Sequence, residues 1–139
     1  FHDAPMDHSG MGSLAAQFGA VPNSIAAYRL DSILKDVQCE KVAVMKIDVE
    51  GYEAAVFRGA ERLLTSENAP LIVFEFLDWA EDRAQIGGVG EAQCILREWG
   101  YKIWKLKDLL AGKDSLRDVM KSGGETLVAC SEDHASRIV

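Results

Sequence analysis

Residues Val42 to Leu64, VAVMKIDVEGYEAAVFRGAERLL, leave this chain little choice of architecture. An apolar, β-branched run carries Lys46, Asp48 and Glu50 at its end, and a single glycine, Gly51, separates it from a helical pattern. Such a near-continuous run is expected of a strand covered on both faces in a parallel sheet. After Gly51 the apolar positions Tyr52, Ala55, Val56, Gly59, Ala60, Leu63 and Leu64 share one helical face, with Glu53, Arg58, Glu61 and Arg62 turned to water. A strand turning straight into a helix opens a βαβ unit. In open α/β sheets ligands bind beyond the carboxyl ends of the strands, so acids placed there are the first candidates for chemistry.

The rest of the chain repeats that grammar. Residues 1–23 are rich in Gly, Ser, Asp and His and predict a loop-rich lead-in with at most one short helix around Leu14 to Phe18. Ile25 to Leu30 alternates weakly in a strand-like way, and Asp31 or Ser32 can cap a short helix reaching about Val37. Leu71 to Phe76 is a second buried strand interrupted only by Glu75, and Asp78 to Gly90 predicts a long loop at its carboxyl edge. Ala92, Cys94 to Leu96 and Trp99 form a helical stripe closed by Gly100. Tyr101 to Leu106 returns as a strand, Lys107 to Gly124 is amphipathic and turn-like, and Thr126 to Cys130 is the last strand. The order predicts an α/β fold: the carboxyl-terminal part of a doubly wound, mostly parallel sheet flanked by helices. At 139 residues the chain has room for one core and is expected to form one domain, with βα units over 24–139.

Charge and motifs remove several functions. A net charge of −7 argues against a nucleic-acid surface and favours a neutral or cationic small partner. No apolar run approaches the roughly 18 residues of a membrane span, and no signal peptide opens the chain, so a cytoplasmic protein is expected. Cys39, Cys94 and Cys130 are widely spaced and predict reduced, mostly buried thiols. No P-loop, GxSxG elbow or CxxC pair occurs, and Gly87, Gly88 and Gly90 lack the strand and helix that a dinucleotide turn requires. His2, Asp3, Asp7 and His8 suggest either a metal site or a solvated loop.

The run Leu30-Asp31-Ser32-Ile33-Leu34, the block Lys46-Ile47-Asp48-Val49-Glu50-Gly51-Tyr52-Glu53, the triplet Arg58-Gly59-Ala60 and the strand Ile72-Val73-Phe74-Glu75 together resemble the FkbM family of methyltransferases. The resemblance spans roughly Ser9 to Cys130. It implies a class I Rossmann-like fold, S-adenosylmethionine as cofactor, and O-methylation of a sugar, glycan or secondary-metabolite hydroxyl. The family's glycine-rich cofactor turn and ribose-binding acid have no counterpart in this sequence, which opens on Phe1. The expectation is therefore a carboxyl-terminal portion that is inactive alone.

Asp48, Glu50 and Glu75 are the candidate catalytic acids. A carboxylate at the last turn of a buried strand is expensive without a partner. Glu50 points to the same side two residues on. The acids can orient an acceptor hydroxyl, take its proton, or share a divalent metal; equally, Asp48 and Glu50 can complement the positive end of the helix beginning near Tyr52. Glu75 is either a third site acid or a buried acid satisfied by backbone or by Lys46. Glu53 is expected on the surface, in the first helical turn. Asp78 and Trp79 either line an acceptor pocket or, for Trp79, join the core. Two other functions fit the same residues: a phosphohydrolase holding magnesium on Asp48, Glu50 and Glu75, and a non-catalytic interaction module.

Overall fold

The computed structural model describes Asp3, Gly12, Leu14, Val21 and residues 23–132. Its elements are α1 (Leu30–Asp36), β1 (Val44–Ile47), α2 (Glu53–Gly59), α3 (Glu61–Leu64), β2 (Leu71–Leu77), α4 (Asp78–Ala84), α5 (Glu91–Glu98), β3 (Tyr101–Lys105), α6 (Leu106–Leu110) and β4 (Gly124–Ser131). The strands form one mixed sheet in the order β1-β2-β4-β3. The α/β class is as expected, but the mostly parallel sheet is not: only β1 and β2 pair in parallel, and β4 runs antiparallel to both β2 and β3. The cause lies in the last connection. A parallel neighbour needs a crossover back to the starting end, whereas α6 and the irregular residues after it stay at the end where β3 finishes, so β4 must return antiparallel.

One face of the sheet, carrying Ile47, Ile72, Phe74, Phe76, Ile103, Leu127 and Ala129, forms the core with Ala54, Phe57, Ala60 and Leu64 from the α2 to α3 region and Ala92 and Leu96 from α5. The Phe57 and Phe74 rings meet edge to face, 5.4 Å between centroids. A smaller cluster of Trp104 and Cys130, with Leu71 and Leu109, occupies the other face. Val44 is 57% exposed there, so β1 is not covered on both faces. It is an edge strand among the described residues, and Val44 and Lys46 alternate away from the helices.

The helix expected over Tyr52 to Leu64 is two helices, broken at Ala60, where φ is −116°. Its buried stripe is also rotated from the expected one: Glu53, Ala54, Phe57, Ala60 and Leu64 are buried, while Ala55 is exposed. The spacing from Glu53 to Phe57, Ala60 and Leu64 is a regular helical stripe in which a large aromatic outweighs several small residues. Asp31 does not cap its own helix, whose N-cap Arg29 makes no side-chain capping bond; it accepts from the backbone of α3 instead. Residues expected to form a strand before Leu30 are without regular structure from Asn23 to Arg29.

The expected loop from Asp78 to Gly90 begins with a helix, α4, that buries Ala80 and Ala84 one turn apart, too short a pattern to announce itself. Gly100 follows α5 at φ 79°, as a C-cap glycine should. Cys39 is exposed, Cys94 half-buried and Cys130 buried; all three are free thiols. The helix expected near Leu14 to Phe18, and His2, Asp7 and His8, lie outside the described residues; Asp3 accepts a hydrogen bond from the Asn23 side chain at 2.7 Å. Among the described residues no helix is long and apolar enough to cross a membrane.

Candidate active site

The parallel register of β1 and β2 pairs Ile47 with Phe74, so Asp48, just past the end of β1, follows that pair on one strand as Glu75 of β2 does on the other. Glu50 joins them: each of the three acids offers a carboxylate oxygen, and these oxygens lie within 4.8 Å of one another. The residues singled out from the sequence are thus brought to one place. Lys46 donates to Asp48 at 2.6 Å, and that bond, with help from the Glu75 charge, holds the ammonium pKa above its usual value. Both partners are well exposed, so water and salt screen the pair.

A tight turn delivers Glu50. The Tyr52 N–H donates to the Val49 carbonyl at 3.4 Å, and the two central residues both have positive φ, 53° at Glu50 and 95° at Gly51. This is the sign pattern of a type I′ turn, which a glycine tolerates and a glutamate resists. Gly51 is also required for space, because a Cβ there would stand 2.3 Å from the Ala80 carbonyl oxygen. Burial, then the charges of Glu75 and Asp48, push the Glu50 carboxyl above its usual pKa, with Arg83 pulling the other way. One Glu50 oxygen, Oε2, is shielded from solvent and has no hydrogen-bond partner among the described residues.

Beneath this turn is a residue the sequence placed in water. Glu53 is 2% exposed, and its Oε1 accepts the Val49 N–H at 3.2 Å. Burial raises its carboxyl to about 7, against the opposing pull of the N–H groups of Glu53 itself, Val49 and Gly51; the neighbouring Glu81 adds to the rise. Glu81 is built the same way one loop along. It is buried, accepts the Gly90 N–H, and has its pKa raised by burial. The stripe running from Glu53 through Phe57, Ala60 and Leu64 was the available signal for Glu53.

At the carboxyl end of β2, Asp78 accepts from the Trp79 and Gly123 N–H groups at 2.7 and 2.8 Å, tying α4 to the start of β4. Trp79 is 45% exposed and so is not core; Arg83 lies 4.7 Å over its ring. An apolar groove of about 580 Å³ runs along α2 between Tyr28, Val49, Tyr52 and Val56, but none of the three clustered acids lines it.

The fold is an α/β protein, a four-stranded mixed sheet flanked by helices, with three acids gathered toward the carboxyl ends of its two parallel strands, the side on which open α/β sheets bind ligands. The family model described as the methyltransferase FkbM domain matches residues 1–103, and the chain belongs to that family. Membership implies S-adenosylmethionine as methyl donor and a small-molecule substrate. No curated protein and no solved structure matches the chain. Neither Gly51 nor Gly90 offers a cradle for the donor: the Cβ space at Gly51 is filled by Ala80 backbone and that at Gly90 by Val119 and Met120.

Proposed function

We propose that the chain carries the acceptor side of an S-adenosylmethionine-dependent O-methyltransferase acting on a hydroxyl of a sugar, glycan or secondary metabolite. The observation that supports this most is the convergence of Asp48, Glu50 and Glu75 at one strand edge, offset only in part by the Lys46 ammonium at Asp48 and the Arg83 charge acting on Glu50. That balance suits a neutral hydroxyl or a cation better than an anionic substrate. When bound, the donor supplies an electrophilic methyl group. Aligning reactants for such a displacement is worth up to roughly 7 to 11 kcal/mol, and a base adds about 10² to 10⁴ in rate.

The roles divide by environment. Glu50 is the base: its raised pKa makes it a better proton acceptor, and its half-buried carboxylate offers an oxygen beside those of Asp48 and Glu75. Asp48, held by Lys46, and Glu75 orient the hydroxyl. The same oxygens have the spacing and hardness to share one divalent cation, which would lower the hydroxyl pKa. On this reading the donor contacts come from outside the described residues, and the chain by itself binds the donor weakly.

The test is transfer of a labelled methyl group from S-adenosylmethionine to a panel of glycans and hydroxylated metabolites by the full-length protein, with and without chelator. Glu50→Gln is expected to slow transfer about 100-fold or more. Calorimetric titration of the donor into this chain checks the weak binding. Magnesium-dependent phosphoester hydrolysis with no methyl transfer would overturn the proposal in favour of a phosphohydrolase. Function indifferent to Asp48→Asn but lost on surface changes between Asp78 and Gly90 would favour an interaction module.

A further inference from the structure

Glu50 sits in a backbone conformation that a glutamate does not choose, and something must hold it there. Its φ of 53° places it in the left-handed region, where non-glycine residues are uncommon and persist when their surroundings over-determine them. The turn bond from the Tyr52 N–H to the Val49 carbonyl is long, at 3.4 Å, and does not use the Val49 N–H, which needs a partner of its own. That partner is the Glu53 Oε1, at 3.2 Å. On the opposite side Gly51 is pressed so closely on the Ala80 backbone that no side chain fits between them. The turn is therefore gripped from two sides, by a carboxylate from α2 and by the backbone of α4.

We infer that Glu53 is a positioning residue: its buried carboxyl clamps the Val49 to Gly51 turn and so keeps the Glu50 carboxylate beside Asp48 and Glu75. Surface acids in a first helical turn act through the helix dipole and stay in water, whereas Glu53 is 2% exposed and bonds backward across the turn. Burying a carboxyl in this way is costly, and Oε2 is left without a hydrogen-bond partner among the described residues. The charge of Glu81 in α4 acts on it as well, a like charge that gives no stabilising pair. What the burial supplies in return is an acceptor for the turn. A Gln side chain keeps that acceptor without the charge; an Ala side chain removes it.

The clamp rests on the proposed role of Glu50 for its functional meaning, yet its test needs neither donor nor acceptor. The 139-residue chain, isotope-labelled, is compared with Glu53→Gln and Glu53→Ala by nuclear magnetic resonance. A residue at positive φ shows a strong intraresidue Hα to N–H Overhauser effect. The expected result is that Glu50 shows it in the parent chain and in Glu53→Gln and loses it in Glu53→Ala, with exchange of the Val49 N–H at least about 10-fold faster in Glu53→Ala. Amide shifts of β2 and β4 residues report whether each variant is folded. Glu50 remaining at positive φ in a folded Glu53→Ala chain overturns the inference. If Glu53→Ala does not fold, Glu53→Gln decides alone: Glu50 retained at positive φ upholds the clamp, and a folded Glu53→Gln chain with Glu50 displaced overturns it. In a full-length protein, undiminished methyl transfer by a Glu53→Ala variant with displaced Glu50 would refute Glu50 as base and leave the clamp standing.

Discussion

Asp31 and Leu63, residues of two different helices, are joined by a hydrogen bond from the Leu63 N–H to the Asp31 carboxylate at 3.1 Å, and the second Asp31 oxygen takes the Arg62 N–H at 2.9 Å. One acid thereby satisfies two of the open N–H groups at the start of α3, where the backbone breaks at Ala60. Asp31→Ala is expected to lower stability by about 1 to 2 kcal/mol, and Asp31→Asn by less, since one acceptor remains. Urea unfolding of the three chains checks this; equal stabilities would mean water replaces the cap at no cost.

Gly51 and Gly112 make a controlled pair. Both have positive φ, 95° and 67°, but a Cβ at Gly51 meets the Ala80 backbone at 2.3 Å while one at Gly112 meets nothing within 4 Å. Gly112→Ala should cost about 1 kcal/mol from conformation alone. Gly51→Ala should cost about 3 kcal/mol or more, because the rigid α4 backbone must also move. Melting temperatures give the ranking, and similar losses would show that the turn slides away from α4 freely.

Glu53 makes stability depend on pH. Its carboxyl titrates near 7 in the fold against an ordinary 4.5, so between those values the folded chain keeps a proton that the unfolded chain has released. The associated stability is complete below about pH 4.5 and is lost as pH rises through 7, a change on the order of 3 kcal/mol. Glu53→Gln cannot ionise and should gain on the parent chain between pH 5 and pH 8. Glu50 and Glu81, also raised by burial, leave a residual slope of the same sign. Denaturant unfolding at the two pH values decides; parallel losses in both chains would return Glu53 to ordinary titration.

The charges around Glu50 can be separated by substitution. Glu75 pushes its pKa up and Arg83 pulls it down. In carbon-detected titrations Glu75→Gln should therefore lower the Glu50 pKa and Arg83→Met should raise it, with burial leaving a remainder in either case. Shifts of the same sign in both variants would mean that solvent access, and not charge, had changed.

Phe74 joins the sheet to α2 through its edge-to-face contact with Phe57 at 5.4 Å. Fully buried, it should cost about 3 to 5 kcal/mol on truncation to Ala. A loss below about 1 kcal/mol in urea unfolding would mean the core collapses into the space.

The legible parts of this fold were those where side-chain pattern and chain order agree. The strand leading to Asp48, shorter than the Val42 to Val49 expected, the strand interrupted by Glu75 and the stripe ending at Gly100 each lie within the stretch where periodicity put them. The parallel register then brought Asp48, Glu50 and Glu75 together. What escaped was set by partners distant in sequence. Glu53 looks like any first-turn acid until Val49 and the α4 backbone close over it, and Asp31 looks like the cap of its own helix until α3 arrives beside it. The short α4 buries two alanines and Glu81, too little apolar signal for a pattern of one helical length. The direction of β4 is fixed by where its connection runs, which composition does not record.

The position of β4 in the sheet also determines what can fold as the polypeptide emerges. Within the described residues β3 pairs with β4 alone, and Phe74 of β2 meets its register partner on that side only when Leu127 has been made. Sheet closure is therefore non-local and late, with apolar edges of β2 and β3 open during synthesis and available to other chains. The family match ends at residue 103, inside β3, yet a polypeptide stopped there would present both strands with no partner between them. For this protein the cooperative unit reaches at least to Ser131, well past the region by which its family is recognised.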